Sequence, residues 1–290
     1  MECTVRLAQI QPTLGDLQRN LRLHQQEIEN AIEAGVDLLV FPELSLTGYF
    51  LKDQSPEVAL ALDSDLLATL AEQSKRISII AGFIELDPSG RLYNSLGLFE
   101  DGVLVGVHRK VHLCTYGMFQ EGRDWAAGDR FRPIQSKHGL LGLLICEDMW
   151  HLDGAYLYFL DNVDAIICCS ASPARGVAEA ARGPAGPELE SNQIWRHLHE
   201  GLALHTRTWI LYSNRVGWED GVIFGGASRA VDPFGVELGR LEGLDPGHLD
   251  VAVSQGTLHR ARIGTPLRRD ARPHLFLREL QRRLEIEGED

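Results

Sequence analysis

The chain has 290 residues, 44% of them hydrophobic and 24% charged, which is enough apolar material for one large domain or two small ones with a substantial core. Its formal net charge of −13 excludes general binding to a phosphate backbone or an anionic membrane unless a local basic patch intervenes. The one Arg-rich run, Arg260, Arg262, Arg268, Arg269 and Arg272, reads as a solvated tail face.

Met1-Glu2-Cys3 leads at once into a strand-like run over residues 4–10, which leaves no room for the charged and apolar regions of a secretory signal. Asp16 is placed to cap a helix whose apolar stripe is Leu17, Leu21, Ile28, Ala31 and Ile32, and Gly35 to end it. Residues 36–41 form a continuously apolar run, the mark of a strand buried on both faces. The pattern then predicts a helix over residues 57–76 and a strand over 77–85. Asp87-Pro-Ser-Gly90 and Asp101-Gly102 are turn signals between strand-like runs, so hairpins are expected within the same, mixed sheet.

Residues 140–146 and 164–169 return to buried-strand composition, and both fall well short of the ~20 residues of a membrane-spanning helix. Residues 172–187, rich in Pro and Gly, read as a long irregular loop, on the surface or against substrate, inside one domain. A helix is expected over 188–206, a strand over 209–216, and a strand with a Pro-Phe-Gly turn over 225–238. No internal repeat is visible. The alternation predicts a layered α/β architecture, with residues 1–262 as one domain and 263–290 as a tail or helix packed on that domain or on a dimer partner.

Five cysteines, an odd number without C-x-x-C spacing, argue against a disulfide framework or a zinc knuckle and for a reducing, cytoplasmic setting. Cys168 and Cys169 read as core filler. Three strand ends, however, deliver an unusual reactive residue: Glu43 after 36–42, Lys110 after 103–109, and Cys146 after 140–145. Taken singly these are a turn carboxylate, a surface charge and a small buried hydrophobe.

Their combination resembles the nitrilase, or carbon-nitrogen hydrolase, superfamily. The matching pieces are Phe41-Pro-Glu-Leu-Ser-Leu-Thr-Gly-Tyr49, Arg109-Lys-Val-His-Leu113 and Leu144-Ile-Cys-Glu-Asp-Met-Trp150, in that order. Tyr116-Gly-Met-Phe-Gln-Glu-Gly-Arg123, Ser170-Ala-Ser-Pro-Ala-Arg-Gly176, Asn214-Arg-Val-Gly217 and residues 225–235 extend the likeness over roughly residues 4–255. The resemblance implies an α-β-β-α sandwich of two mixed sheets and a homo-oligomer, a dimer or higher, built through helix faces beside the active site. It implies Glu43, Lys110 and Cys146 as catalytic residues, with Glu121 positioning Lys110 and the substrate. No metal or other cofactor is expected.

Such an arrangement suits amide cleavage. A thiolate splits a difficult hydrolysis into thioester formation and thioester hydrolysis, a neighbouring ammonium favours the thiolate, and a carboxylate carries the protons. Lys110 is also expected to face the developing oxyanion with the backbone N–H of Glu147. The side chains of Glu147 and Asp148 read as structural contacts at a helix start, since a carboxylate beside the thiol would raise its pKa. Tyr49, Tyr116, Phe119, Trp150 and Arg175 are expected to wall the substrate pocket together with Glu147, Arg175 by pairing with a substrate carboxylate. Cys114 stands where the relatives that share these motifs tend to have Pro.

Rival readings are weaker. His197, His199 and His205 lack the H-E-x-x-H spacing of a zinc hydrolase, and neither G-x-S-x-G nor a P-loop is present. A catalytically inactive binding module is the non-enzyme alternative. The stretches at 116–123 and 146–150 look most like the glutamine-hydrolysing domain of glutamine-dependent NAD synthetases. The chain ends at Asp290 without an ATP-binding loop, so it is expected either to be a free-standing amidase or to supply ammonia to a separate synthetase. An N-carbamoyl amino acid or amine hydrolase is the nearest alternative reaction.

Overall fold

The structure is a computed structural model and describes residues 1–176 and 189–287. Most of the irregular loop expected at 172–187 therefore lies outside the described residues. The strands in chain order are β1 (Cys3–Gln9), β2 (Leu38–Val40), β3 (Ser78–Leu86), β4 (Leu92–Glu100), β5 (Val103–Arg109), β6 (Ile134–Ser136) and β7 (Gly139–Ile145). They continue as β8 (Ala165–Ser170), β9 (Trp209–Asn214), β10 (Val216–Glu219), β11 (Val222–Gly225), β12 (Arg229–Val231), β13 (Glu237–Arg240) and β14 (Gly247–Val253). The helices are α1 (Leu17–Glu33), α2 (Ser55–Val58), α3 (Asp65–Gln73), α4 (Glu121–Asp124), α5 (Leu152–Asp161), α6 (Glu190–Thr206), α7 (Gln255–Gly264), α8 (Leu267–Asp270) and α9 (Pro273–Glu287).

Two six-stranded mixed sheets run in the orders β14-β1-β2-β3-β4-β5 and β13-β12-β9-β8-β7-β6. Each has three parallel strands at its centre, β1-β2-β3 and β7-β8-β9, with antiparallel strands outside them. The central strands are apolar on both faces because both faces are covered. Val5, Leu7, Val40 and Ile80 of one sheet meet Leu143, Ile145, Ile167 and Leu211 of the other between the layers. Leu39, Ile79 and Phe83 face outward onto Ile28 and Ala31 of α1 and Leu67 and Leu70 of α3. Ile166, Cys168 and Tyr212 face outward onto Tyr158 of α5 and Trp195 and Ala203 of α6. The layers are thus helix, sheet, sheet, helix, as expected. Among the described residues no helix is long and apolar enough to cross a membrane.

Local chemistry accounts for the element ends. The Asp16 carboxylate accepts from Arg19 N at 2.9 Å, the N-cap contact expected of it, and Gly35 takes the left-handed conformation that stops α1. Asp101 and Gly102, both at positive φ, make the tight turn between β4 and β5. The helix expected over 57–76 is instead two helices, α2 and α3. Between them Leu60 pairs with the end of β3, its N–H donating to Ile84 O and its carbonyl accepting from Leu86 N. A sheet-edge hydrogen bond therefore outcompetes helix periodicity there. The strand expected over 209–216 stops at Asn214, and Val216 opens the separate hairpin β10-β11. In the 225–238 segment only Arg229–Val231 is strand before the turn at residues 232–235. The boundary expected at 262 falls inside α7, and Phe276 of α9 rests on Tyr156 of α5 with ring centroids 5.0 Å apart.

Candidate active site

Glu43, Lys110 and Cys146 follow the C-terminal ends of β2, β5 and β7, so both sheets contribute. Glu43 sits in a turn pinned to β3: Phe41 N donates to Ile80 O at 2.8 Å and Leu46 N to Gly82 O at 3.0 Å. A Cβ on Gly82 would stand 2.4 Å from Leu44 N, so only glycine lets this turn lie on the strand. Cys146 has φ 45°, a left-handed conformation unusual for cysteine, at the sharp bend where β7 gives way to the single helical turn 146–150.

The buried charges form one cluster. Lys110 Nζ donates to Glu43 Oε1 at 2.8 Å and to Glu121 Oε1 at 2.7 Å, and all three side chains are almost wholly buried. Glu43 also accepts from Asn94 Nδ2 and from Ala171 N, both at 2.7 Å. Glu121 accepts from the Tyr49 hydroxyl at 2.5 Å and from Cys114 N at 2.9 Å. Every carboxylate oxygen thus has a donor, as a buried charge requires.

The electrostatics of the cluster set the resting protonation. Burial raises the Glu43 carboxyl above the usual carboxylate range against the pull of Lys110. Burial alone would lower the Lys110 ammonium, but Glu121 and Glu43 hold it well above its ordinary value. Burial and then the Glu43 charge push the Cys146 thiol well up, and Lys110 offsets only part of this. The ammonium favours the thiolate, as sequence reasoning expected, while burial and Glu43 oppose it more strongly. A thiolate beside the Glu43 and Glu121 carboxyls would add negative charge to a largely buried cluster. A proton moving from Cys146 to Glu43 leaves the total unchanged.

Asp148 is the structural residue expected at the start of the helical turn, and it does more than cap. Its Oδ1 accepts from Val111 N and His112 N at 3.0 and 2.8 Å, and its Oδ2 from Ile145 N and His108 Nε2 at 3.0 and 2.9 Å. One carboxylate therefore ties the chain just after Lys110 to the chain just before Cys146. Burial would raise it, but the His108 contact and the backbone donors hold it below the ordinary value.

A cavity of about 270 Å³ opens beside this cluster, and Cys146, Glu121 and Glu147 line it. All the wall residues expected from the sequence, Tyr49, Tyr116, Phe119, Trp150 and Arg175, line it too. Tyr49 is committed to Glu121, and the Tyr116 hydroxyl donates to Glu147 Oε2 at 2.9 Å. The Arg175 guanidinium lies over the Phe119 ring, 5.8 Å from its centroid. Trp150 packs edge-on against Trp195 of α6. Sequence reasoning missed Ser172 and the α6 residues Glu190, Ile194 and Trp195 on the same wall. The one signal for them was the buried face Asn192, Trp195, His199 of α6. Cys114 also lines the cavity, its thiol pushed up to about 12 by burial and then by Glu147 and Glu121. His199 lies away from it in the core, its ring between Trp195 and Tyr212.

Known proteins match this sequence and this fold. The carbon-nitrogen hydrolase family matches residues 4–263. A glutamine-dependent NAD(+) synthetase of Thermotoga maritima is 31% identical over 244 residues, covering 82% of this chain and 40% of that protein. An (R)-stereoselective amidase of a Pseudomonas species is also 31% identical over 244 residues, covering 82% of this chain and 81% of the amidase. The crystal structure of Nit3 of Saccharomyces cerevisiae, a member of branch 10 of the nitrilase superfamily, superposes with a TM-score of 0.77 at 25% identity, covering 92% of this chain and 95% of that one. The chain spans about two fifths of the length of the NAD(+) synthetases it matches.

Proposed function

Since the chain belongs to the carbon-nitrogen hydrolase family, we propose that it is an amidase that cleaves a linear, non-peptide amide through a thioester on Cys146. The observation that carries this reading is the buried Glu43–Lys110–Glu121 cluster beside a cavity that Cys146 lines. As the Cys146 sulfur bonds to the amide carbon, its proton passes to Glu43, and the cluster keeps its charge. The oxyanion that forms faces Lys110 Nζ and the N–H of Glu147, donors already fixed before reaction. Collapse breaks the C–N bond, and Glu43 returns the proton to the departing ammonia or amine. Water, giving its proton to Glu43, then attacks the thioester, and the acid leaves as the thiol is restored. Glu121 holds Lys110 in place.

The wall of the cavity carries Arg175, which would pair with a substrate carboxylate, and Glu147, which would pair with an ammonium. This pairing favours an amide of an amino acid, glutamine included, and so keeps a second reading open, a glutaminase that feeds ammonia to a separate synthetase. N-carbamoyl amino acids offer the same carboxylate, and acyl transfer to an amine would use the same thioester. The free state of all five cysteines fits a reducing, cytoplasmic setting. Exposed Leu152 and Leu157 of α5 and Ile194 and Leu204 of α6 fit a homodimer through these helices.

The test is a panel of amides, N-carbamoyl compounds and nitriles with ammonia detection, run on the wild type and on Cys146→Ala. Amide turnover that falls at least about 10⁴-fold in a folded Cys146→Ala is expected. Activity confined to nitriles would overturn the amidase reading, and undiminished hydrolysis in the variant would overturn the mechanism.

A further inference from the structure

Of the Arg-rich run expected to form a solvated tail face, Arg260, Arg268, Arg269 and Arg272 are exposed and Arg262 is partly buried. Arg262, Arg268 and Arg269 fold back with Arg207 and His259 around a cavity of about 390 Å³, a size typical of small-molecule sites. It shares no residue with the cavity at Cys146. Four guanidiniums there meet a single lining carboxylate, Asp164, in a chain whose overall charge is strongly negative.

The positive charge is only partly spent internally. Arg262 uses Nε on Arg207 O and Nη2 on Val163 O and the Thr208 hydroxyl, while its Nη1 stands 3.9 Å from the nearest Asp164 oxygen, too far for a hydrogen bond. Burial holds the Arg262 guanidinium below its ordinary value; the Asp164 charge opposes this and the like charge of Arg268 adds to it. Arg207 Nε is buried without a hydrogen-bond partner among the described residues. Arg268 has no ion pair among them, whereas Arg269 is bound to Asp270. Arg207 is also the C-cap of α6 at φ 52°, a left-handed position where glycine or asparagine costs least. Its Nη1 donates to Pro233 O at 3.4 Å, and an arginine kept in that left-handed conformation is the second feature that sets this corner apart. The α5 and α6 C-termini both border the cavity, and their negative ends disfavour an anion. Arg262 offsets this by taking up the carbonyls of Val163 and Arg207, just beyond them.

We propose that this cavity binds a small organic phosphate, its phosphate group held by Arg207, Arg262 and Arg268 and its apolar body set against Phe159 and Ile263. Arginine forks match tetrahedral oxyanions, and a doubly charged one gains most from several of them together.

The experiment is calorimetric titration of the whole protein with inorganic phosphate, adenosine monophosphate and succinate. One saturable site per chain is expected, with the nucleotide binding tighter than phosphate and succinate not competing, and with affinity falling as salt rises. Arg207→Gly removes the guanidinium while relieving the left-handed backbone, so it should fold at least as well as the wild type. It and Arg268→Gln should each weaken nucleotide binding about tenfold or more, whereas Cys146→Ala should bind as the wild type does. No saturable heat with phosphate or nucleotide, or binding that survives both arginine substitutions, overturns the site. Succinate displacing the nucleotide overturns the ligand class, and equal affinity for phosphate and nucleotide overturns the apolar subsite.

Discussion

Replacing Asp148 by asparagine keeps the shape of the side chain and removes one acceptor oxygen. Turned toward Oδ1, the new NH₂ would face two backbone donors, Val111 N and His112 N. Turned toward Oδ2 it would face Ile145 N and His108 Nε2, and the imidazole can switch tautomer and accept. The second orientation wins, leaving one buried N–H unsatisfied and three hydrogen bonds without a charged acceptor. An orphaned buried donor costs about 1–3 kcal/mol and each charged contact contributes somewhat more than a neutral one, so a loss of about 2–4 kcal/mol is expected. That is a large share of the roughly 5–15 kcal/mol of a typical domain. Equilibrium urea unfolding of wild type and Asp148→Asn measures it. Because the folded Asp148 is held below its unfolded value, its contribution is present above about pH 4 and is lost as pH falls through the folded pKa, so the two proteins should converge in acid. Since Ile145 precedes the candidate nucleophile, turnover measured below the unfolding range should fall as well. A difference under about 1 kcal/mol at neutral pH would refute the assignment of Asp148 as the tie between the two strand ends.

Three further outcomes follow from the site. The acid limb of kcat/KM for amide hydrolysis should lie above about pH 4.3, the ordinary glutamate value, because burial raises Glu43 and activity is lost as pH falls through that raised pKa; a limb at or below it would remove Glu43 as the base. Tyr49→Phe keeps the ring on the cavity wall but takes the hydroxyl from Glu121, and should lower kcat about tenfold with KM nearly unchanged in steady-state kinetics. Gly82→Ala drives a methyl into the backbone of the Glu43 turn, so turnover should drop by more than thermal stability alone predicts, as paired activity and melting measurements will show.

Glu43, Lys110 and Cys146 stood out as reactive residues at three strand ends, and only the family resemblance joined them to one another and to Glu121. Their supports did not stand out. Asn94 and the N–H of Ala171 complete Glu43 from 51 and 128 residues away, and nothing in their own neighbourhoods marks them. His108 looks like any strand histidine until Asp148, 40 residues on, is folded against it. The layered α/β character was readable from buried-strand composition, since covered faces leave continuous apolar runs, whereas the pairing of two sheets came only from the family resemblance. The break between α2 and α3 was not readable, because residues 57–76 satisfy a helical period and only the edge of β3 offers Leu60 a better partner. The wall supplied by α6 was likewise invisible, since which helix face meets the thiol depends on how the layers stack.

Cys146 is carried by one sheet while Glu43 and Lys110 are carried by the other, and between the sheets lies an apolar seam that includes Val40, Ile80, Ile145 and Ile167. Turnover therefore works as a gauge of how those two slabs are seated. A methyl removed from that seam, far from any reacting atom, shifts one slab against the other by tenths of an ångström, a misfit that chemistry registers before the melting curve does.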